Sequence, residues 1–142
     1  MNAKPKGTDR WILGELTKLM DDVKKSYDEY AFNDVANLIR DFTWNIFASN
    51  YVEMVKARAY GQDFSKEEQR ASWFTLNECL RNILLLLAPI MPFFTEHLWS
   101  ISYEGKSIHL KRFPKAKWDK SLNQLTQKII DFNSYLWNKK KE

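Results

Sequence analysis

Cysteine is scarce in this chain. The single cysteine, Cys79, excludes an internal disulfide, and together with two histidines it makes too small a ligand set for a structural zinc site. A chain without disulfides is typical of a reducing compartment, so we expect a cytoplasmic protein. We expect no membrane partner, because the longest apolar run, Ile83 to Met91, is far too short to cross a bilayer. The first residues also lack the apolar core of a signal peptide.

Glycine and proline are also few, at four each. A sheet of many strands needs frequent turns, and this composition supplies little turn chemistry, so helices are favoured. Of the 142 residues, 44% are apolar and 15% are aromatic. That is enough for one domain with a real core, and it argues against disorder.

Catalytic motifs are missing as well. The chain contains no GxxxxGK[ST], GxGxxG or GxSxG pattern. His97 and His109 each lack a second histidine at helical spacing, and the acidic pairs are typical of solvated helix surface. The sequence therefore predicts no catalytic residue, no metal site and no cofactor site in this chain.

The net charge of +4 comes from 22 basic and 18 acidic side chains. This excess is compatible with a nucleic-acid partner but is common in proteins that have none. Its distribution is more informative, because the basic residues gather towards the two ends of the chain. They are Lys4, Lys6 and Arg10, then Lys106, Lys111, Arg112, Lys115, Lys117 and Lys120, and finally Lys139 to Lys141.

The stretch from Phe32 to Tyr60 contains no glycine or proline and predicts one long helix. At 100° per residue its apolar side chains form two stripes on opposite sides. One stripe is Val35, Ile39, Phe42 and Ile46, and the other is Trp44, Phe47, Tyr51 and Met54. Because a helix that is apolar on most sides is covered on most sides, we expect it at the centre of an all-α, antiparallel up-down helix bundle.

Apolar spacing predicts further helices on both sides of the central one. Residues 1–8 are expected to be a flexible lead. The first helix is expected from a cap at Thr8 or Asp9 to about Tyr30, and the third from a cap at Ser65 to about Ala88, with Trp73, Leu76 and Leu80 in its core stripe. Two more helices are expected, one from Pro92 onwards and one from about Trp118 to the C-terminus. Between the last two, Ser107 to Lys111 alternates apolar and polar residues and is either one short strand or an extended strap.

Short loops between the first three helices imply antiparallel neighbours. The starts of helices one and three then share one end of the bundle, so the Lys4–Trp11 region should adjoin the Trp73–Leu76 region. Trp11 lies about 140° from the centre of its own helix's apolar stripe. Two alternatives stay open: Trp11 is exposed beside Arg10 and stacks a nucleotide base, or another segment covers it.

Arg40 lies near the second stripe of the central helix. Its stem can pass the aromatic rings and reach a carboxylate, which is the interpretation we favour, or its guanidinium can contact a base or a phosphate.

Four stretches resemble one known family. LAPIMPFFTEHLW (Leu87 to Trp99) resembles the Pro-x-x-Pro-Phe-x-x-Glu-x-x-Trp block in the helical anticodon-binding domain of class I aminoacyl-tRNA synthetases for Val, Ile and Leu. DRWIL (Asp9 to Leu13), FTWNIFASNYVEMVKARAY (Phe42 to Tyr60) and SIHLKRFP (Ser107 to Pro114) are similar to other segments of that domain, in the same order. Trp44 and Glu53 favour the valyl branch, of the archaeal or eukaryotic type, over the isoleucyl one.

The resemblance implies a module that reads the anticodon of tRNA, with tRNA(Val) as the expected species and residues 9–142 as the domain. Unpaired bases are held at the bundle end that the topology selects, where a π-face and an aliphatic wall suit them. Carried over by position, Trp11 is the stacking platform, Lys4 is a polar or phosphate contact, and Thr75, Leu76 and Cys79 form the opposing wall.

The family's ATP-site signatures are absent from this chain. The resemblance therefore implies a fragment of a larger synthetase, or an orphaned copy of the domain, whose parent enzyme uses ATP and Mg and whose catalytic domain is a further partner. The family also carries a helix before the DRWIL-like segment, where only MNAKPKGT stands here. Two alternatives stay open, the same domain of an isoleucyl enzyme and a helical protein-interaction module.

Overall fold

The computed structural model describes residues 4–103 and 105–141. Within them the regular elements are α1 (Gly7–Asp28), α2 (Phe32–Asp41), a π-helical segment (Phe42–Val52), α3 (Glu53–Ala59), α4 (Lys66–Leu87), α5 (Pro92–Ser102), a 3-10 turn (Ile108–Leu110), a second 3-10 turn (Ser121–Leu125) and α6 (Thr126–Lys139). The expected all-α class is confirmed. Of the two alternatives for residues 107–111, the extended strap is the one observed, because these residues contain one 3-10 turn and no strand.

One apolar core joins α1, the central helix (α2, the π segment and α3, residues 32–59) and α4. α1 and α4 run in the same direction: the Lys6 Nζ lies 3.6 Å from the Glu68 carboxylate at their starts, and the Tyr27 hydroxyl donates to the Leu86 carbonyl near their ends, at 2.8 Å. The predicted up-down order is therefore confirmed. A smaller cluster around the buried Trp99 seats α5 and the first 3-10 turn against the end of α4.

The middle of the central helix departs from the expected α-geometry. In the π segment the Ser49 hydroxyl donates to the Trp44 carbonyl, and the Asn50 side-chain amide donates to the Asn45 carbonyl, each five residues back. The wider turn lets rings five residues apart share a side, so Phe42 and Phe47 stack at 6.3 Å, whereas α-geometry would separate them by about 140°.

The two apolar stripes drawn at 100° per residue therefore fail at Trp44, whereas Ile46, Phe47 and Met54 pack against the core as expected. Tyr51 joins Phe42 in the core, while Trp44 is turned outwards and is 71% exposed. The expectation that the central helix is covered on both sides fails at Trp44.

α4 begins as predicted, with the Ser65 hydroxyl accepting from the Glu68 N–H and the Glu68 carboxylate accepting from the Ser65 N–H. Its buried face is turned from the expected stripe, because Ala71, Thr75 and Cys79 are buried whereas Trp73 and Leu80 are exposed. The Trp73 indole instead donates to the carbonyl of Ala59, at 2.9 Å.

α1 begins before its predicted caps. Helix geometry starts at Gly7, and the Asp9 carboxylate, in the first turn, accepts from the backbone N–H of Lys6 at 2.8 Å. Asp9 thus accepts a backbone hydrogen bond at the start of α1 while lying within the helix, rather than preceding it as the capping residue.

Residues 117–139, the C-terminal layer, pack across the outside of α1 and the central helix. The last helix starts at Thr126 rather than near Trp118, because the Asp119 carboxylate accepts from Ser121 and the chain first forms a 3-10 turn. The layer comes very close to α1 at Gly14, whose carbonyl accepts from the Asn123 amide at 3.2 Å. Among the helices of the described residues, none is both long and apolar enough to cross a membrane.

Candidate nucleic-acid interface

A buried ion pair stabilises the end of the bundle at which α1 and α4 begin. Asp9 is fully buried, and its carboxylate accepts from the Tyr51 hydroxyl at 2.6 Å and from the Arg58 guanidinium. Burial, followed by the Asp9 charge, raises the pKa of the Tyr51 hydroxyl well above its ordinary value, so Tyr51 remains a donor. These contacts join the start of α1 to the end of the central helix and hold the backbone beneath Lys6 and Arg10 in place.

An open cleft lies beside this anchor. The N-terminal cleft, with a volume of about 330 Å³, is lined on one side by Lys4, Pro5, Arg10 and Leu13 and on the other by Trp118, Asp119 and Leu122. The structure thus brings together two of the three cationic residues of the predicted site, Lys4 and Arg10, but not Arg40. Both side chains are exposed, which suits contact with a phosphate backbone.

The charges in the cleft are mixed. The Arg10 guanidinium lies 3.9 Å from the Asp119 carboxylate. Hydrogen bonds from Ser121, and then the Arg10 charge, hold the pKa of the Asp119 carboxyl below its ordinary value, so it is ionised at neutral pH. An exposed pair of this length is weak, so Arg10 remains available to an incoming anion.

The aromatic side chain of the cleft is Trp118. Its backbone N–H donates to the Thr17 hydroxyl at 3.1 Å, which seats the residue on α1. The Lys117 ammonium lies 5.0 Å from the centroid of its ring, and Phe74 meets it edge-on at 6.2 Å. The cleft therefore combines a half-buried indole with several cations, a combination that suits a single-stranded nucleic acid.

Comparison with known proteins bears on this interface. A family described as the anticodon-binding domain of tRNA ligase matches residues 9–142. The chain belongs to this family. Its relatives include the valine–tRNA ligases of Archaeoglobus fulgidus (47% identity over 106 residues, 75% of this chain and 12% of the relative), Aeropyrum pernix (38% over 139 residues, 94% and 17%) and Pyrobaculum aerophilum (40% over 139 residues, 93% and 17%). The chain spans only 12 to 17% of the length of these relatives.

The anticodon-binding domain does not expose Trp11. Trp11 is 1% exposed, and its indole N–H donates to the Thr126 hydroxyl at 2.9 Å, which in turn donates to Glu15 at 2.7 Å. Of the two alternatives, covering by another segment is the one observed, and the cover is the C-terminal layer. The expected stacking platform is wrong in this conformation, because both ring faces lie inside the protein.

The opposing wall is also largely internal. Thr75 and Cys79 are fully buried in the core, and Leu76 is half-buried against it. The Thr75 hydroxyl donates to the Ala71 carbonyl at 3.0 Å, and burial raises the pKa of the Cys79 thiol. The starts of α1 and α4 share one end of the bundle, as predicted. Their facing surfaces pack on one another, which leaves no room for a base.

Arg40 lies away from the cleft. Its guanidinium is exposed and 3.5 Å from the Asp41 carboxylate, the kind of partner that the favoured interpretation required. Sequence reasoning did not single out Trp118, the aromatic residue of the N-terminal cleft. The available signal was KAKWDK, a tryptophan set among lysines in the late basic stretch, which was interpreted only as a helix start.

Proposed function

We propose that this chain binds the anticodon of tRNA, as the anticodon-binding domain of a valine–tRNA ligase. The preferred partner in this proposal is tRNA(Val). The observation that carries the proposal is the family match over residues 9–142, together with the valine–tRNA ligases among its relatives. Because tRNA charging serves protein synthesis, we place the protein in the cytoplasm. Residues 9–142 would act as one domain, with residues 1–8 as its lead.

In this proposal the N-terminal cleft contacts the anticodon arm. Lys4 and Arg10 would bind phosphates, and Trp118 would offer the indole surface that Trp11 cannot. The base edges would meet the rim of the cleft. Each stacked base would add about 1–3 kcal/mol of binding free energy.

The attachment of valine would take place elsewhere in the parent enzyme, which would use ATP and Mg. No group of three or more His, Cys, Asp or Glu side chains in the described residues is arranged to hold a metal ion. No chemical step is assigned to this chain.

The test compares the binding of the 142-residue chain to tRNA(Val) and to the same tRNA with its anticodon replaced, by filter binding at several salt concentrations. Weaker binding to the replaced anticodon supports the proposal, and equal binding would overturn it. Lys4→Ala with Arg10→Ala should weaken binding, and the slope of log K against log salt should fall by about 0.7–0.9 for each lost phosphate contact.

A matched control is available on the same helix. Lys24 and Lys25 are exposed, pair with Asp28 and Glu29, and lie about 20 Å along α1 from Arg10. Lys24→Ala with Lys25→Ala removes the same charge as the cleft variant. Loss of tRNA binding of equal size in both double variants would show a general charge effect and count against the cleft.

A protein partner is the second candidate. Three apolar side chains around α5, Phe93, Ile101 and Leu110, are strongly exposed, which favours docking to another protein surface, here the catalytic domain of the parent enzyme. Salt separates the two kinds of binding. Binding to tRNA should fall steeply between low and moderate salt, whereas apolar docking should persist.

A further inference from the structure

A second groove lies on a different face of the molecule. The tryptophan groove runs between the π segment and α6, has a volume of about 580 Å³, and is lined by Trp44, Ser49, Asn50, Glu53, Asn133 and Trp137, with Ala48, Ser134 and Asn138 beside them. A neighbouring cavity of about 390 Å³ shares several of these residues and adds Lys56 and Lys140. Neither cavity contains a residue of the N-terminal cleft.

The π geometry creates the aromatic wall of the groove. In α-geometry Trp44 and Tyr51, seven residues apart, would lie on the same side of the helix. Because the π turn is wider, Trp44 instead points away from the core in which Tyr51 is buried. Within the described residues the Trp44 indole stacks on no other ring, and 71% of the residue is exposed. π-helical segments cost stability and are frequent at functional sites, which favours a role for the exposed ring.

The wall between the two indoles is polar and partly fixed. The Asn50 side chain is buried, with its amide N–H donating to the Asn45 carbonyl and its oxygen accepting from the Asn133 amide at 2.8 Å. Asn133 is thereby oriented, and Ser49 and Ser134 line the groove beside it, with the Ser49 hydroxyl donating to the Trp44 carbonyl at 2.8 Å. A row of amides and hydroxyls beside a free indole suits the edge and the face of a nucleobase better than an apolar peptide.

The charges at the groove also suit a nucleotide. The Glu53 carboxylate is neutralised by the Lys56 ammonium at 2.5 Å, so it does not repel a phosphate strongly. The Lys140 ammonium lies 5.8 Å from the centroid of the Trp137 ring, so one face of that indole already holds a cation. Trp44 is thus the open stacking face, and the two lysines line the neighbouring cavity.

We propose that the tryptophan groove binds one unpaired nucleotide of an RNA strand, with its base on the Trp44 indole and its phosphate towards Lys140. The choice of RNA as the ligand rests on the proposed function. The groove would give the chain a second contact with single-stranded RNA, separate from the N-terminal cleft.

The test measures the fluorescence anisotropy of a labelled single-stranded RNA hexanucleotide titrated with the 142-residue chain at low salt. Trp44→Ala should weaken binding by roughly 5- to 150-fold, the range that corresponds to the loss of one stacked base. Trp44→Phe keeps a π-face and should retain most of the affinity. Tyr30→Ala is the matched control, since Tyr30 is a 79% exposed aromatic residue outside both cavities, and it should bind like the unaltered chain.

Each remaining outcome counts against the groove. Unchanged binding by Trp44→Ala, an equal loss in Tyr30→Ala, or no binding of the hexanucleotide by the unaltered chain would overturn the inference. If the affinity for the hexanucleotide does not fall when the salt concentration is raised, the groove makes no phosphate contact, and the inference is overturned too. Anticodon discrimination is a separate readout, so equal binding to the two tRNAs would overturn the proposed function whatever Trp44→Ala does to the hexanucleotide.

Discussion

α1 and α6 belong to the same chain and to the same family match, yet they are held in very different ways. α1 buries eleven residues, including Trp11 and the charged Asp9 and Glu15. α6 buries none fully, and Phe132, Leu136 and Trp137 on it remain exposed. The core is therefore stabilised by removal of apolar surface from water, whereas the C-terminal layer depends on half-buried contacts and a few polar bonds.

This difference in burial between the core and the C-terminal layer indicates which part of the molecule unfolds locally first. A typical hydrogen bond contributes only about 0.5–1.5 kcal/mol net, so the bonds that join Thr126, Asn123 and Asn133 to the core are a modest tether. The layer should open at a lower free energy than the core unfolds. Since this layer covers Trp11, the accessibility of Trp11 follows the stability of the layer rather than that of α1.

The largest effect is expected from breaking the anchor of the core. Arg58→Met keeps much of the buried stem but leaves the Asp9 carboxylate without its cation, so it should lower the free energy of unfolding by about 3–5 kcal/mol in urea denaturation. Arg40→Met is the control, because Arg40 is exposed and its pair with Asp41 is long, and it should change the stability by less than about 0.5 kcal/mol. Equal effects of the two variants would show that the buried pair does not anchor the core.

The next effect separates the layer from the core. A Cβ at Gly14 would lie 2.5 Å from the Asn123 side-chain oxygen and 2.7 Å from the Asp119 carbonyl. Gly14→Ala should therefore destabilise docking of the C-terminal layer by about 1–3 kcal/mol. Hydrogen exchange should lose protection over residues 117–139 while α1 and α4 keep theirs.

Gly7→Ala is the matched control, because nothing lies within 4 Å of its added Cβ. Alanine favours helix over glycine by about 1 kcal/mol, so propensity alone predicts a gain at both positions. A gain in Gly14→Ala, or a loss of protection spread evenly over the chain, would contradict the separation of layer and core.

Sequence reasoning predicted the part of the fold that follows from apolar spacing. The helix order and the shared end of α1 and α4 came from periodicity and short loops, and Lys4 and Arg10 do meet at that end. These features depend on neighbours that are close in sequence or on one simple topological rule.

Two features could not be predicted in that way. The exposure of Trp44 depends on a π segment, and a fixed 100° per residue cannot anticipate a change of helical pitch. The burial of Trp11 depends on Thr126, which is 115 residues away, and periodicity within α1 carries no information about which segment covers its outer face. Periodicity and topology therefore placed Lys4 and Arg10 at one end of the bundle, but they could not show that Trp11 is buried there while Trp118 lines the cleft.

The smallest expected effect is on the pH dependence of the free energy of unfolding. It is tested with one tyrosine in the core helix α1, Tyr27, and one in the C-terminal layer, Tyr135 on α6. Burial raises the pKa of Tyr27 from its ordinary 10.0 to about 12. Between pH 10 and pH 12 the unfolded chain ionises at this position while the folded chain stays protonated, so the stability that is present below pH 10 is lost as the pH rises. Burial also raises the pKa of Tyr51, Tyr103 and Cys79, which act in the same direction.

The measurement is the free energy of unfolding in urea at pH 9 and at pH 11. In the unaltered chain it should be lower at pH 11. Tyr27→Phe should lower it at pH 9, because the bond to the Leu86 carbonyl is lost, but should reduce the further decline at pH 11. Tyr135→Phe, at an exposed position, should leave the decline as it is in the unaltered chain. If Tyr27→Phe declines as steeply as Tyr135→Phe, then Tyr27 does not couple its protonation to the folding of the core.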